Sequence, residues 1–202
     1  STQGYSSAAS DVYKRQIEDY MKALEFDPEN IGAWHNMALC KIKQGDYSGA
    51  KNDLDRLITI SPRYTKAYLM RGEVDLKQKD TIAAAKDFGH AIEIDRYDPD
   101  TWASRAILRL QQQKYKDAEA DFDHAIHLST RNAGVYINRA LARYHQKNLR
   151  GAMSDYDIAL EIDPNNFIGH YNRGLLRAQV GDDNRAIEDF DFVINMEPDN
   201  MM

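Results

Sequence analysis

Five alanines, Ala50, Ala84, Ala118, Ala152 and Ala186, stand 34 residues apart. A second small-residue column runs Ala38, Gly72, Ala106, Ala140 and Gly174. Aromatic or large apolar residues recur in the same register as Leu54, Phe88, Phe122, Tyr156 and Phe190, and ring residues as Trp34, Tyr68, Trp102, Tyr136 and His170. Prolines fall in step at Pro28, Pro62, Pro164 and Pro198, with Arg96 and Thr130 in the two intervening places. A period held without insertion over residues 17–200 restricts the chain to a repeat architecture. It gives five full repeats beginning at Ile31, Thr65, Pro99, Ala133 and Phe167, after a half repeat over residues 17–30.

Within each repeat, two amphipathic stretches of about a dozen residues flank a short polar break. Gly45-Asp46, Lys79-Asp80, Lys147-Asn148 and Gly181-Asp182 mark the breaks. Proline cannot continue a helical hydrogen-bond ladder, so its column predicts the end of each second helix. Small residues on facing helices let the backbones approach, and the rings fill the space beside them. One helix pair cannot bury its own apolar face, so neighbouring repeats must stack.

These columns resemble the tetratricopeptide repeat family: an aromatic, a small residue, then alanine, aromatic, alanine and proline. The resemblance implies an all-α, right-handed superhelical solenoid of antiparallel helix pairs. It also implies a protein–protein interaction scaffold that holds a peptide or partner protein in a groove lined by the first helices. Removing the packing columns from the first helices leaves Asn36, Leu39, Leu69, Met70, Ile107, Asn138, Leu141, Tyr144, His145, Tyr171, Asn172 and Leu175 as groove candidates. Ala103, Ser104 and Ile137 are on the same predicted face. The alternative is that some of these side chains pack against neighbouring helices. Family members that grip acidic chaperone tails carry a lysine and asparagine clamp. The matching columns here hold His35, Leu69, Ala103, Ile137 and Tyr171, and Leu39, Glu73, Ile107, Leu141 and Leu175, so that clamp is not expected.

Two charged columns keep the period. Arg71, Arg105, Arg139 and Arg173 form one; Asp19, Asp53, Asp87, Asp121, Asp155 and Asp189 form the other. Both stand beside packing residues, and a guanidinium meets a carboxylate through two parallel bonds. They read as structural ion pairs, although the pattern leaves open whether each arginine meets its own repeat or the preceding one. An arginine ladder for an acidic ligand is the alternative. His90, His124 and His127 suggest a surface metal site only weakly, since no third ligand accompanies them.

The chain has 26 basic and 32 acidic residues, net −6, which argues against a nucleic-acid partner. It holds no phosphate loop, nucleophile elbow or paired metal-binding motif. No catalytic residue, metal or cofactor is therefore expected. A structural oligomerisation module and the regulatory part of a larger multidomain protein are the competing readings. Residues 6–16, SSAASDVYKRQ, resemble a translated sequencing-library adapter. Residues 1–16 are accordingly expected to be non-native, either partly disordered or extending the first helix, in a bacterial fragment whose true N-terminus is missing. Phe192, Val193, Ile194 and Met196 suggest an uncapped apolar end that self-associates. No membrane insertion is expected of this fragment, and its compartment is left open.

Overall fold

A computed structural model describes residues 2–128 and 131–196, with side chains from residue 11. The described residues form eleven α-helices and no strand. They divide into two compact units, Ser1–Tyr97 and Asp98–Met202.

The first unit contains α1 (Thr2–Phe26), α2 (Ile31–Gln44), α3 (Tyr47–Ile60), α4 (Thr65–Lys77) and α5 (Thr81–Ile94). The helix α1 runs unbroken through the adapter-like stretch into the half repeat. Each later helix packs on its predecessor. Ala38, Leu54, Leu57 and Ala67 form a buried cluster shared by the first two full repeats, with Trp34, Ile58, Tyr64 and Met70 against it.

The second unit contains α6 (Pro99–Gln111), α7 (Tyr115–His127), α8 (Ala133–His145), α9 (Leu149–Ile162), α10 (Phe167–Gln179) and α11 (Asp183–Met196). One cluster joins Ala103, Ala106, Phe122, Ala125 and Val135. The next joins Ala133, Ile137, Ala140, Tyr156, Ala159 and Leu176. Each cluster draws on helices of two successive repeats, which is why a single repeat would leave its apolar face wet.

Helix starts and stops follow local chemistry. Asp46, Asp80 and Asn148 each accept a bond from a backbone N–H three residues on, satisfying an orphan donor of the following helix. Asn30 and Asn166 do the same for first helices, and Asn132 accepts from the Gly134 N–H two residues on. The breaks between paired helices need a left-handed residue. Gly45 and Gly181 supply it, and Lys79, Gln113 and Lys147 adopt φ of 64°, 59° and 65° in the corresponding places. The third break, Gln113-Lys114, carries no turn residue in its sequence.

Second helices end two residues before Pro28, Pro62 and Pro164. The helix α5 ends at the same point before Asp95-Arg96, without a proline. Thr130 and Pro198 lie outside the described residues. Gly72 and Gly174 allow close approach: a Cβ there would meet the rings of Phe88 and Phe190 at 2.6 and 2.7 Å.

Candidate functional site

The periodic arginines and aspartates meet inside their own repeats. Arg71 bonds Asp87, Arg105 bonds Asp121, Arg139 bonds Asp155 and Arg173 bonds Asp189, each through Nε and a terminal nitrogen at 2.6–3.0 Å. All four aspartates are buried. A second cation reaches three of them four residues further along the first helix: Arg109 to Asp121, Arg143 to Asp155 and Arg177 to Asp189. Asp53 has no arginine, because Met37 occupies that place. Lys41 pairs with it instead. Asp19 lies exposed on α1 against Lys22.

Three arginines also turn back to an acid of the preceding repeat: Arg71 to the exposed Asp55, Arg139 to the exposed Asp123 and Arg173 to the half-buried Asp157. A guanidinium with five donors can serve both carboxylates. Burial pushes the Asp189 carboxyl up. Its bonds to Arg173 and His170, with the charges of Arg173 and Arg177, outweigh that and hold it below the ordinary carboxylate range. Asp53 is the opposite case. Burial lifts it above that range, and the bond and charge of Lys41 only partly offset the rise.

The histidine column has a packing role. His90 lies against Tyr68 with ring centres 4.9 Å apart, and His124 stacks on Trp102 at 4.5 Å. In the last repeat the order reverses, and His170 stacks on Phe192 at 3.9 Å. Phe192, read from the sequence as part of an open apolar end, is therefore half-buried and spoken for by a ring.

The groove candidates divide by exposure. In the first unit, Leu39 is exposed, while Asn36, Leu69 and Met70 are half-buried. Met70 leans on the Leu54 cluster. In the second unit, Ile107 and Tyr144 pack at the rims of their clusters. Asn138, Leu141 and Asn172 are half-buried, and His145 is exposed with its ring stacked on Tyr115 at 4.4 Å. Tyr171 and Leu175 are each 47% exposed. Ala103, Ser104 and Ile137 are buried, contrary to their predicted place on the groove face. Positions 103 and 137 lie where the next repeat stacks, and an apolar side chain there joins the inter-repeat core.

Family models described as tetratricopeptide repeat match residues 19–52 and 104–167. The chain is a tetratricopeptide repeat protein. A tetratricopeptide repeat protein from Parabacteroides merdae superposes with a TM-score of 0.71 at 22% identity, over 94% of this chain and 74% of that one. MamA from Desulfovibrio magneticus gives 0.73 at 16% identity, over 85% and 97%. YrrB, described as a tetratricopeptide repeat protein with an unusual peptide-binding site, gives 0.69 at 20% identity, over 92% and 95%. No curated protein matches this sequence. The likenesses establish the fold, which is that of protein–protein interaction scaffolds. Such proteins typically act without catalysing a reaction. Among the described residues no helix is long and apolar enough to cross a membrane.

Sequence reasoning missed the second cation column and the Asp55, Asp123 and Asp157 column. Both follow the 34-residue period with one interruption each, Asp75 in the first and Gly89 in the second. It also missed the pairs that cross between repeats, Lys51–Asp75 and Glu119–Arg143, at 2.6 and 2.7 Å. These break the period in charge, so no column marks them.

Proposed function

We propose that the exposed face of the first helices binds an apolar or aromatic segment of a partner protein. The observation that carries this is on α10. Ile168, Tyr171 and Leu175, at i, i+3 and i+7, are each 45–50% exposed on one helix face. Leu39 repeats the feature on α2. Asn172, beside the stripe, offers an amide able to bond the backbone of an extended peptide. Asn36, Leu69, Met70, Ile107, Asn138, Leu141, Tyr144 and His145 complete the proposed surface in their respective units.

The experiment is selection of a displayed random-peptide library on the chain, followed by fluorescence anisotropy of the recovered peptides. Those peptides should share apolar or aromatic anchors. A Tyr171→Ser, Leu175→Ser double variant should bind them at least tenfold more weakly, with unchanged far-UV circular dichroism. Full affinity in that variant would reject the assignment.

A second reading is self-association. It rests on α11, where Ile187, Ile194 and Met196 are exposed. Sedimentation at rising concentration tests it: a mass that stays at 23.2 kDa rules it out.

A further inference from the structure

Two clefts occupy the same place in two different repeats, one in each unit, and they differ in what fills them. The second unit's cleft, about 430 Å³, lies between α9 and α10 and is lined by Asp157, His170 and Arg173 among others. Arg173 spans it, bonding Asp189 twice and Asp157 once. The first unit's cleft, about 400 Å³, is lined by Met21 and Leu24 of α1, Trp34, Met37 and Lys41 of α2, and Asp53 of α3. Moving back four periods converts Asp157, His170 and Arg173 into Met21, Trp34 and Met37. The same shift leaves Leu24, Glu25 and Asp53 unchanged in type. The first repeat has kept the buried acceptor and lost the guanidinium that answers it elsewhere.

The third repeat supplies the template for the missing group. There Arg105 bonds Asp121 through two nitrogens and lies 4.8 Å over the Trp102 ring. Trp34 and Asp53 are the counterparts of Trp102 and Asp121, with Met37 in the place of Arg105. Trp34 is fixed by its own indole bond to the Pro28 carbonyl at 2.9 Å. Asp53 is 5% exposed. Lys41 Nζ bonds its Oδ1 at 2.8 Å. The same nitrogen lies 2.7 Å from Oδ2, but Oδ2 receives no hydrogen bond. A lysine is a compact point charge and cannot present the two parallel N–H donors that a buried carboxylate accepts from arginine. Burial accordingly holds this carboxyl above its ordinary range.

We propose that the cleft between α1, α2 and α3 receives an arginine side chain from a partner polypeptide. The guanidinium bonds Asp53 and covers the Trp34 face, and the alkyl stem lies along Met21, Leu24 and Met37. Cation–π contact and a charge-assisted bidentate bond act on the same group there, as they do inside the third repeat. The exposed Glu25 carboxylate at the rim adds attraction for a cation. This site is separate from the groove. Trp34, Met37 and Lys41 share one face of α2, and Asn36 and Leu39 begin two residues on, about 200° round the helix.

The test is an NMR titration of the whole chain with the peptide Ac-Gly-Gly-Arg-Gly-Gly-NH2, alongside its lysine and citrulline counterparts. The arginine peptide should shift the Trp34 indole and the Met21 and Met37 methyl signals saturably, with a Kd on the order of 1 mM. The lysine peptide should bind several-fold more weakly, and the citrulline peptide should leave those signals in place. Asp53→Asn should weaken arginine binding at least tenfold. Met37→Arg, which supplies the guanidinium from within, should abolish binding and raise the Tm. Equal shifts from arginine and citrulline peptides, full affinity in Asp53→Asn, or unimpaired binding by Met37→Arg would each overturn the proposal. So would shifts confined to Leu39, Tyr171 and Leu175, which would put the peptide in the groove.

Discussion

Arg71→Met should be among the most damaging single substitutions in the chain, and more damaging than the same change at Arg139. Arg71 gives Asp87 two bonds of 2.7 Å, and the carboxylate is buried. Among the described residues no second cation bonds Asp87, because the place held elsewhere by Arg109, Arg143 and Arg177 holds Asp75. Removing Arg71 strands a desolvated charge, at a cost of about 3–5 kcal/mol. Asp155 is buried as deeply, but it keeps the 2.9 Å bond from Arg143 when Arg139 is lost. The cost at Arg139 should therefore fall to about 1–2 kcal/mol, close to that of one or two hydrogen bonds. At roughly 2–4 °C per kcal/mol for a chain of this size, the Tm should drop on the order of 10 °C and 4 °C respectively. Repeat arrays open locally, so hydrogen exchange on α4 and α5 should rise selectively in Arg71→Met. The Arg71→Met, Asp87→Leu double variant should recover most of the loss, since an apolar pair leaves no unpaired charge. Equal Tm values for Arg71→Met and Arg139→Met, or no recovery in the double variant, would refute the argument.

Other outcomes follow from local features. Asp189→Asn should cost about 3 kcal/mol at neutral pH. The folded-state carboxyl sits below its ordinary value of 3.8, so its contribution is present above that value and fades as pH falls through the lower folded one. Wild type and variant should therefore converge in acid, as melting curves across pH would reveal. Asp53 has the reverse sign. Its carboxyl is raised, so its contribution is complete below 3.8 and is lost as pH climbs through the folded value. Asp53→Asn should leave the Tm at neutral pH unchanged or higher, and a marked fall would contradict this. Lys147→Gly should stabilise by about 0.5 kcal/mol in urea titration, because relief at φ 65° exceeds the entropy that glycine adds to the unfolded chain. Cys40 should alkylate far more slowly than a free thiol, since burial raises its pKa and closes access, despite the opposing charge of Lys43.

The periodic columns make the stacked all-helical fold legible, because each column has a packing reason of its own. Ala50 and its four successors must meet another helix, and a larger residue there would hold the pair apart. The ion-pair columns were legible as pairs but not as partners. The pattern leaves Arg71 between Asp87 of its own repeat and Asp53 of the preceding one; it meets Asp87 and, in the preceding repeat, Asp55 in place of Asp53. Three features stayed hidden for physical reasons. Gln113 takes a left-handed conformation that its residue type does not advertise, and the two adjoining helices impose it. Ile137 lies on the side of its helix predicted for the groove, yet the next repeat covers it. Met37 reads as one more apolar residue until the buried oxygen of Asp53 is seen beside it.

The Lys51–Asp75 and Glu119–Arg143 pairs join second and first helices at equivalent seams, yet they carry opposite polarity. Exchanging the second and fourth repeats would set Lys51 against Arg143 and Glu119 against Asp75. Like charges would then meet where salt links had been, with Asp75 almost wholly dry. The repeats look interchangeable by their small and ring residues, but they carry a written sequence of assembly. A permuted or consensus-averaged copy of this chain would keep the helices and lose the instruction that puts them in order.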